Sequence, residues 1–354
     1  MGKWRTFIWR STLLWALILL AACETNVNKT GSVSDETAAS NTDGNESESV
    51  SLSGSFIFIE QTTRDQNLLK YDLATGQTLT LFQAPTNGWI SRAIASPDGR
   101  QIVMAYAPPP PEGEIQFGYT NLYQLNTAGE VEPQPIMERS HPQEVLFNPV
   151  WSPDGRYIYF SHVVPDDIDS NSFTTTLKRL DTLDEDVEAI VTNGVWPRLS
   201  ADGEKLAYAL LDPGTQTRDL YLADADGKNA RLIASSEDFI DLDAPLFSPD
   251  GTWYYFSAVT QDQPSRTSWW ERLLGVKVAA AHSVPSDWWR IPVDGGTAER
   301  LTQISAIGMY GAFSPDGTVL AFSSTTGIYT MNPAGTELSK LLEIPAADSL
   351  TWVP

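Results

Sequence analysis

Residues 247–258 read FSPDGTWYYFSA, and four other stretches repeat that text closely enough to decide the fold. They are ASPDGRQIVMAY at 95–106, WSPDGRYIYFSH at 151–162, LSADGEKLAYAL at 199–210 and FSPDGTVLAFSS at 313–324. The shared core is a tight turn. Proline presets φ, aspartate accepts a hydrogen bond from the backbone just ahead, and glycine takes the positive φ that closes a hairpin. An alternating β-branched or aromatic run follows each turn, the pattern of a half-buried strand. The five serines stand at 96, 152, 200, 248 and 314, with spacings of 56, 48, 48 and 66. A period of that size marks a chain of repeated supersecondary units.

A second element follows each of these strands: NLYQLNTAG (121–129), DLYLADADG (219–227), DWWRIPVDGG (287–296) and GIYTMNPAG (327–335), with a related NLLKYDLATG at 67–76. The copy TLKRLDTLDE (176–185) lacks the glycine, which leaves its turn undefined. A further strand comes next, as in QTLTLF (77–82), ARLIA (230–234) and ERLTQ (299–303). Each unit is therefore four antiparallel strands, A to D, with the Ser-Pro-Asp-Gly turn joining A to B. The two ends complement each other. SFIFIE (55–60) matches a B strand without its A, and DSLTWVP (348–354) matches an A strand without its B, Trp352 aligning with Trp151. Together they predict an all-β, six-bladed β-propeller of four-stranded blades, the first blade closed by the C-terminal strand so that no sheet edge is left free.

This repeat resembles the TolB-type, or WD40-like PD40, propeller family over about residues 54–354. TolB itself carries an N-terminal α/β domain that has no counterpart here, so the resemblance implies the fold and not a place in the Tol–Pal system.

The N-terminus is read as an address. Residues 1–10 (MGKWRTFIWR) are basic and 11–22 (STLLWALILLAA) apolar, a signal-peptide pattern too short for a comfortable span. Leu20-Ala21-Ala22-Cys23 resembles the lipobox of bacterial lipoproteins, which implies cleavage before Cys23 and a diacylglyceryl group on its thiol. Each buried methylene of such an anchor contributes about 0.8 kcal/mol of membrane affinity. Residues 24–53 hold no aromatic residue and much Ser, Thr, Asn and Glu, the composition of a flexible tether. The expected organisation is a signal peptide at 1–22, a lipidated cysteine and tether at 23–53, and the propeller at 54–354. The expected location is the cell envelope, on the extracytoplasmic side of a membrane. Cys23 is the only cysteine, so an intrachain disulfide is impossible.

The net charge is −22, and loss of Lys3, Arg5 and Arg10 with the signal peptide makes it more negative still. Such a surface repels phosphate backbones, so nucleic acid is excluded as a partner.

Blade topology puts the A–B and C–D turns on one face and the B–C and D–A connections on the other. The B–C connections vary: 107–120, 163–175 and 259–286 are long, and variable loops on a rigid scaffold are where binding concentrates. The longest contains Ser268-Trp269-Trp270-Glu271, a capping-box arrangement for a short helix. Trp269 and Trp270 are the candidate contacts for a ligand or partner; the competing readings are a lid folded on the rim and a membrane-interface contact. Trp288 and Trp289 align with Leu220 and Tyr221 of a regular C strand and are read as packing. Asp167, Asp169 and Asn171 resemble the opening of a calcium loop, but Ser172 replaces the expected glycine and Lys178 the closing glutamate, so a solvated acidic loop is preferred.

No metal or cofactor is expected, and no catalytic residue is assigned. His141, His162 and His282 have no zinc-binding spacing, and no Gly-x-Ser-x-Gly elbow exists. The expectation is a non-enzymatic binding or scaffold module that takes a protein, peptide or glycan on its B–C face. The alternative is a glycan- or peptide-processing enzyme with its site at the channel mouth.

Overall fold

A computed structural model describes residues 52–62, 65–111, 118–129, 132–166, 173–215, 217–260 and 285–354. Among them are 24 strands. The second blade is β4 (Trp89–Ala95), β5 (Gln101–Ala107), β6 (Asn121–Asn126) and β7 (Gln134–Met137). The third is β8 (Val145–Trp151), β9 (Tyr157–Pro165), β10 (Phe173–Asp181) and β11 (Val187–Thr192), and the fourth β12 (Gly194–Leu199), β13 (Lys205–Leu211), β14 (Arg218–Asp224) and β15 (Arg231–Ala234). The fifth is β16 (Asp241–Phe247), β17 (Trp253–Val259), β18 (Asp287–Pro292) and β19 (Glu299–Arg300); the sixth is β20 (Tyr310–Phe313), β21 (Leu320–Ser324), β22 (Gly327–Met331) and β23 (Ser339–Leu342). The first blade is composite. Its B, C and D strands are β1 (Ser55–Gln61), β2 (Gln66–Asp72) and β3 (Thr78–Gln83), and its A strand is the C-terminal β24 (Ala346–Val353). The expected six-bladed, all-β ring is present, with the expected closure.

The A strands β24, β4, β8, β12, β16 and β20 neighbour one another around the axis. The D strands lie at the opposite sheet edges, with most of their side chains in water. Between these limits the blades pack face to face. Trp288 is fully buried against Tyr255 and Phe322 of one neighbouring interface, while Trp289 turns to the other and meets Phe239 edge-on at 5.2 Å. Adjacent residues of a strand point to opposite faces, so this Trp pair is packing, as its alignment predicts.

The Ser-Pro-Asp-Gly turns repeat one hydrogen-bond pattern. In the turn at Ser248, the hydroxyl donates to Asp250 Oδ1 and accepts from the Trp253 N–H at 2.9 Å, and Asp250 Oδ1 also accepts from the Thr252 N–H. The turns at Ser96, Ser152, Ser200 and Ser314 repeat all three bonds. The turn glycines sit at φ of 69 to 75°, where any side chain would be strained. At the C–D turn that lacks glycine, Glu185 takes the left-handed conformation instead (φ 59°), and its N–H bonds to Asp181 O as Gly76 does to Asp72 O. A residue with a Cβ pays roughly 1 kcal/mol or more for that geometry.

These turns carry a pH dependence. The serine hydroxyl, then the backbone N–H, holds each of Asp98, Asp154, Asp202, Asp250 and Asp316 below the ordinary carboxyl value of 3.8. A carboxylate whose folded pKa is depressed adds stability above its unfolded pKa and loses it as pH falls through the folded value. Stability from the five turns is therefore expected to be complete at pH 5 and to decline below about pH 4. Urea midpoints at pH 5, 4 and 3 check this, and a flat profile across that range would contradict it.

Candidate functional site

The inner strands do not run straight. Register shifts interrupt the A–B pairing in β4, β8, β12 and β16. In three of them a residue with positive φ stands directly before a proline: Asn148-Pro149, Trp196-Pro197 and Ala244-Pro245. Proline offers no N–H and is tolerated at a sheet edge or a bulge, and a bulge re-aims the side chains beside it. Here the effect is to bring residues four and two before the turn serine toward the axis.

Arg92, Asn148, Val150, Trp196, Arg198 and Tyr310, from four different blades, surround a central space of about 10 Å³, room for at most a single water. The Arg92 guanidinium lies over the Tyr310 ring, 4.0 Å from its centroid. Other side chains tie neighbouring A strands together: Ser349 Oγ exchanges bonds with the Ala93 backbone, Trp151 Nε1 donates to Ile94 O, and Arg198 Nε donates to Pro245 O at 3.1 Å. The channel is thus closed at mid-height, and its two mouths are separate sites.

The mouth on the A–B turn side is a cavity of about 240 Å³. Ile94, Val150, Trp151, Leu246, Phe247 and prolines of the turns wall it, with Arg198 among them. Burial, and secondarily the nearby Arg92 charge, push the Arg198 guanidinium down to about 9, so it is still a cation at neutral pH.

The opposite mouth carries the B–C and D–A connections. Backbone bonds from Asn193 to Thr175, Ile240 to Val259 and between Ser286 and Ala306 join the ends of the B–C segments to the D–A segments, and one from Leu146 to Thr120 joins another to the start of β8. The C–D turns dock instead on the A–B turns, as in Thr127 to Arg100 and Ala225 to Glu204. The two-face topology read from the repeats is therefore the one observed.

At this mouth Ser140, Glu144 and His162 come together. Glu144 accepts from the Ser140 N–H at 2.9 Å and hydroxyl at 2.8 Å, and lies 3.4 Å from His162 Nε2. Burial opposes its ionisation, yet those bonds and the imidazole hold Glu144 below the usual carboxylate range. Burial, and then the Lys178 charge, lower His162 despite the carboxylate. At neutral pH the pair is carboxylate and neutral imidazole. The serine hydroxyl points at the carboxylate and not at the histidine, so this is not a serine nucleophile with its base. Nearby, Arg218 pairs with Asp241 at 2.8 Å and lies over the Trp196 ring. Among the described residues no three His, Cys, Asp or Glu side chains gather to hold a metal.

Cys23, Trp269 and Trp270 lie outside the described residues, as do Ser268, Glu271, His282 and the acidic stretch from Asp167 through Ser172. His141 is at the surface, its Nδ1 accepting from the Gln143 N–H. Sequence reasoning passed over Arg92 and Arg198, whose meeting depends on blades far apart in the chain. The visible signal was the X-Pro pair ahead of three turn serines.

No protein-family model matches the chain, and no curated protein sequence matches it. Solved structures do. TolB from Acinetobacter baumannii aligns with a TM-score of 0.62 at 14% identity, over 86% of this chain and 67% of that one. A putative TolB from Agrobacterium tumefaciens aligns at 0.56 with 19% identity, over 86% and 99%. Hydrazine synthase of Kuenenia stuttgartiensis aligns at 0.58 with 12% identity, over 84% and 46%. At these identities the likeness is one of fold, and the described body of this protein is a six-bladed β-propeller similar in fold to the two TolB structures.

Proposed function

We propose that this protein is a lipid-anchored envelope protein, held at the membrane through Cys23, whose propeller binds a protein, peptide or glycan partner on its B–C face. The observation that carries the binding reading is the arrangement of the described loop ends. Thr120 bonds to Leu146 near the start of β8, and Thr175, Val259 and Ser286 bond to the D–A segments, which supports placing the long connections on one face of the ring. Loops on a rigid ring are preorganised for recognition, and a plugged channel confines a partner to the surface. Trp269 and Trp270 are the proposed anchors, because aromatic side chains dominate interface energetics.

The anchor is tested by fractionation. Wild-type protein is expected in the membrane pellet and Cys23→Ser in the soluble fraction; equal pelleting of both would sink the lipid assignment. The binding face is tested by photo-crosslinking from position 270 in living cells. One observation favours a second reading, a glycan- or peptide-processing enzyme: the buried Glu144 carboxylate beside the neutral His162 is an acid–base pair at the same mouth. That reading requires turnover of a glycan or peptide that Glu144→Gln abolishes.

A further inference from the structure

The opposite mouth, on the face of the Ser-Pro-Asp-Gly turns, holds a charge with no counter-charge. Arg156, Arg179, Arg218, Arg290 and Arg300 each pair with a carboxylate within 4 Å. Arg198 does not. Its only hydrogen-bond partner among the described residues is the Pro245 carbonyl, taken by Nε, and the side chain lines both the 240 Å³ cavity and the small central space behind it. Around it stand Ile94, Val150, Leu246 and Phe247 as aliphatic and aromatic faces and Trp151 as a flat side, with polar atoms of the turns, Ser248 among them, between these faces.

The local field adds to this. Arg92 lines the central space beside Arg198, and its charge adds to the burial that lowers the basicity of Arg198. The Tyr254 hydroxyl, wholly buried within range of the Arg198 charge, has no hydrogen-bond partner. A guanidinium presents its terminal N–H groups as a planar fork that matches the two oxygens of a carboxylate. A dianionic phosphate loses more hydration on burial than one arginine fork returns, and Arg198 is the one arginine among the lining residues. The volume lies below the range of about 300–1,000 Å³ for drug-sized ligands, so it suits one residue or a short acid.

We propose that the turn-side mouth is a carboxylate-binding site, in which the Arg198 fork holds the carboxylate and Trp151, Leu246 and Phe247 cover a short apolar group attached to it. This goes beyond the partner face proposed above: it is a second site, on the other side of the closed channel. The carboxylate has two possible sources, a free short-chain or aromatic acid and the C-terminal residue of an extended peptide.

The test is isothermal titration of the full chain in detergent. The probes are 3-phenylpropionate, 3-phenylpropanamide, inorganic phosphate, and the peptide Ala-Ala-Phe with a free or an amidated C-terminus. Binding is expected for 3-phenylpropionate or the free-acid peptide, weakened at least tenfold in the amides, in phosphate and in Arg198→Met. A peptide at least tenfold tighter than the small acid assigns the site to chain ends; the reverse assigns it to free acids. Arg198→Met removes the bond to Pro245 O as well as the fork, so its fold is checked by a cooperative melt, and Arg198→Lys is expected to retain part of the binding with a lone ammonium. Amides that bind as well as acids, an Arg198→Met protein that binds as well as wild type, or no binding of either carboxylate probe would each overturn the proposal. Loss of membrane retention or of crosslinks from position 270 would leave this result untouched, so the two sites fail separately.

Discussion

Removing residues 346–354 is expected to abolish cooperative folding, the largest effect that nine residues of this chain can have. Those residues supply the A strand of the first blade. β24 pairs with β1 from Ser55↔Val353 through Phe58↔Leu350, and without it the inner edge of β1 loses its ladder. Phe56 and Phe58, both fully buried, would lose Leu350 and Trp352 as cover. Trp352 meets Phe56 edge-on at 4.8 Å and donates from Nε1 to Ser53 O at 2.9 Å. The bond from the Ala95 N–H to Thr351 Oγ1 and those between Ser349 and Ala93 also join β24 to β4, so the cut opens the ring on both sides. Trp352→Ala is the graded version. It is expected to cost about 3–5 kcal/mol, a large share of the roughly 5–15 kcal/mol that holds a typical domain. Urea unfolding followed by circular dichroism reads both. A truncated chain with the wild-type midpoint would refute ring closure by β24.

Asp287→Ala is expected to be the most damaging single polar substitution among those considered. The carboxylate has no solvent exposure. It accepts from Arg300 at 2.6 Å, from the Thr302 hydroxyl at 3.0 Å, and from the Ile304 and Ser305 N–H groups at 2.8 and 3.3 Å. Truncation leaves Arg300 and two backbone donors without their acceptor, and removing one partner of a buried ion pair costs about 3–5 kcal/mol. Asp287→Asn retains an acceptor for the backbone groups and should recover part of the loss. Glu343→Ala is the control: its pair with Lys340 is at the surface, where such bridges are worth about 0–1 kcal/mol. An Asp287→Ala midpoint equal to that of Glu343→Ala would show that the network is not needed.

How much of this was legible beforehand follows from how far apart the partners lie. The Ser-Pro-Asp-Gly turn is local: serine, aspartate and the bonded N–H groups span six residues, so five copies declare five hairpins from sequence. Closure by the C-terminal strand was legible because Trp352 repeats the place of Trp151 in its blade. The Asn or Asp that begins several C strands was in view but silent. Asn121, Asp219 and Asp287 each accept the backbone N–H of a residue in the following D–A connection: Arg139, Ser236 and Ile304. Nothing local announces a bond across that separation. The channel plug was less legible still, since Arg92, Arg198 and Tyr310 belong to three blades and meet only when the ring closes. The turn-side mouth gains its cavity and its arginine from that same convergence.

The central claim, that partners are taken on the B–C face, is tested most directly by placing a photo-crosslinking residue at two positions of the membrane-bound protein in living cells. Position 270 stands in the longest B–C connection, and Leu183, 75% exposed, in a C–D turn of the other face. A discrete adduct from 270, absent from 183 and lost when Trp269 is changed to alanine, is the predicted result. Adducts from 183 with none from 270 would contradict the claim.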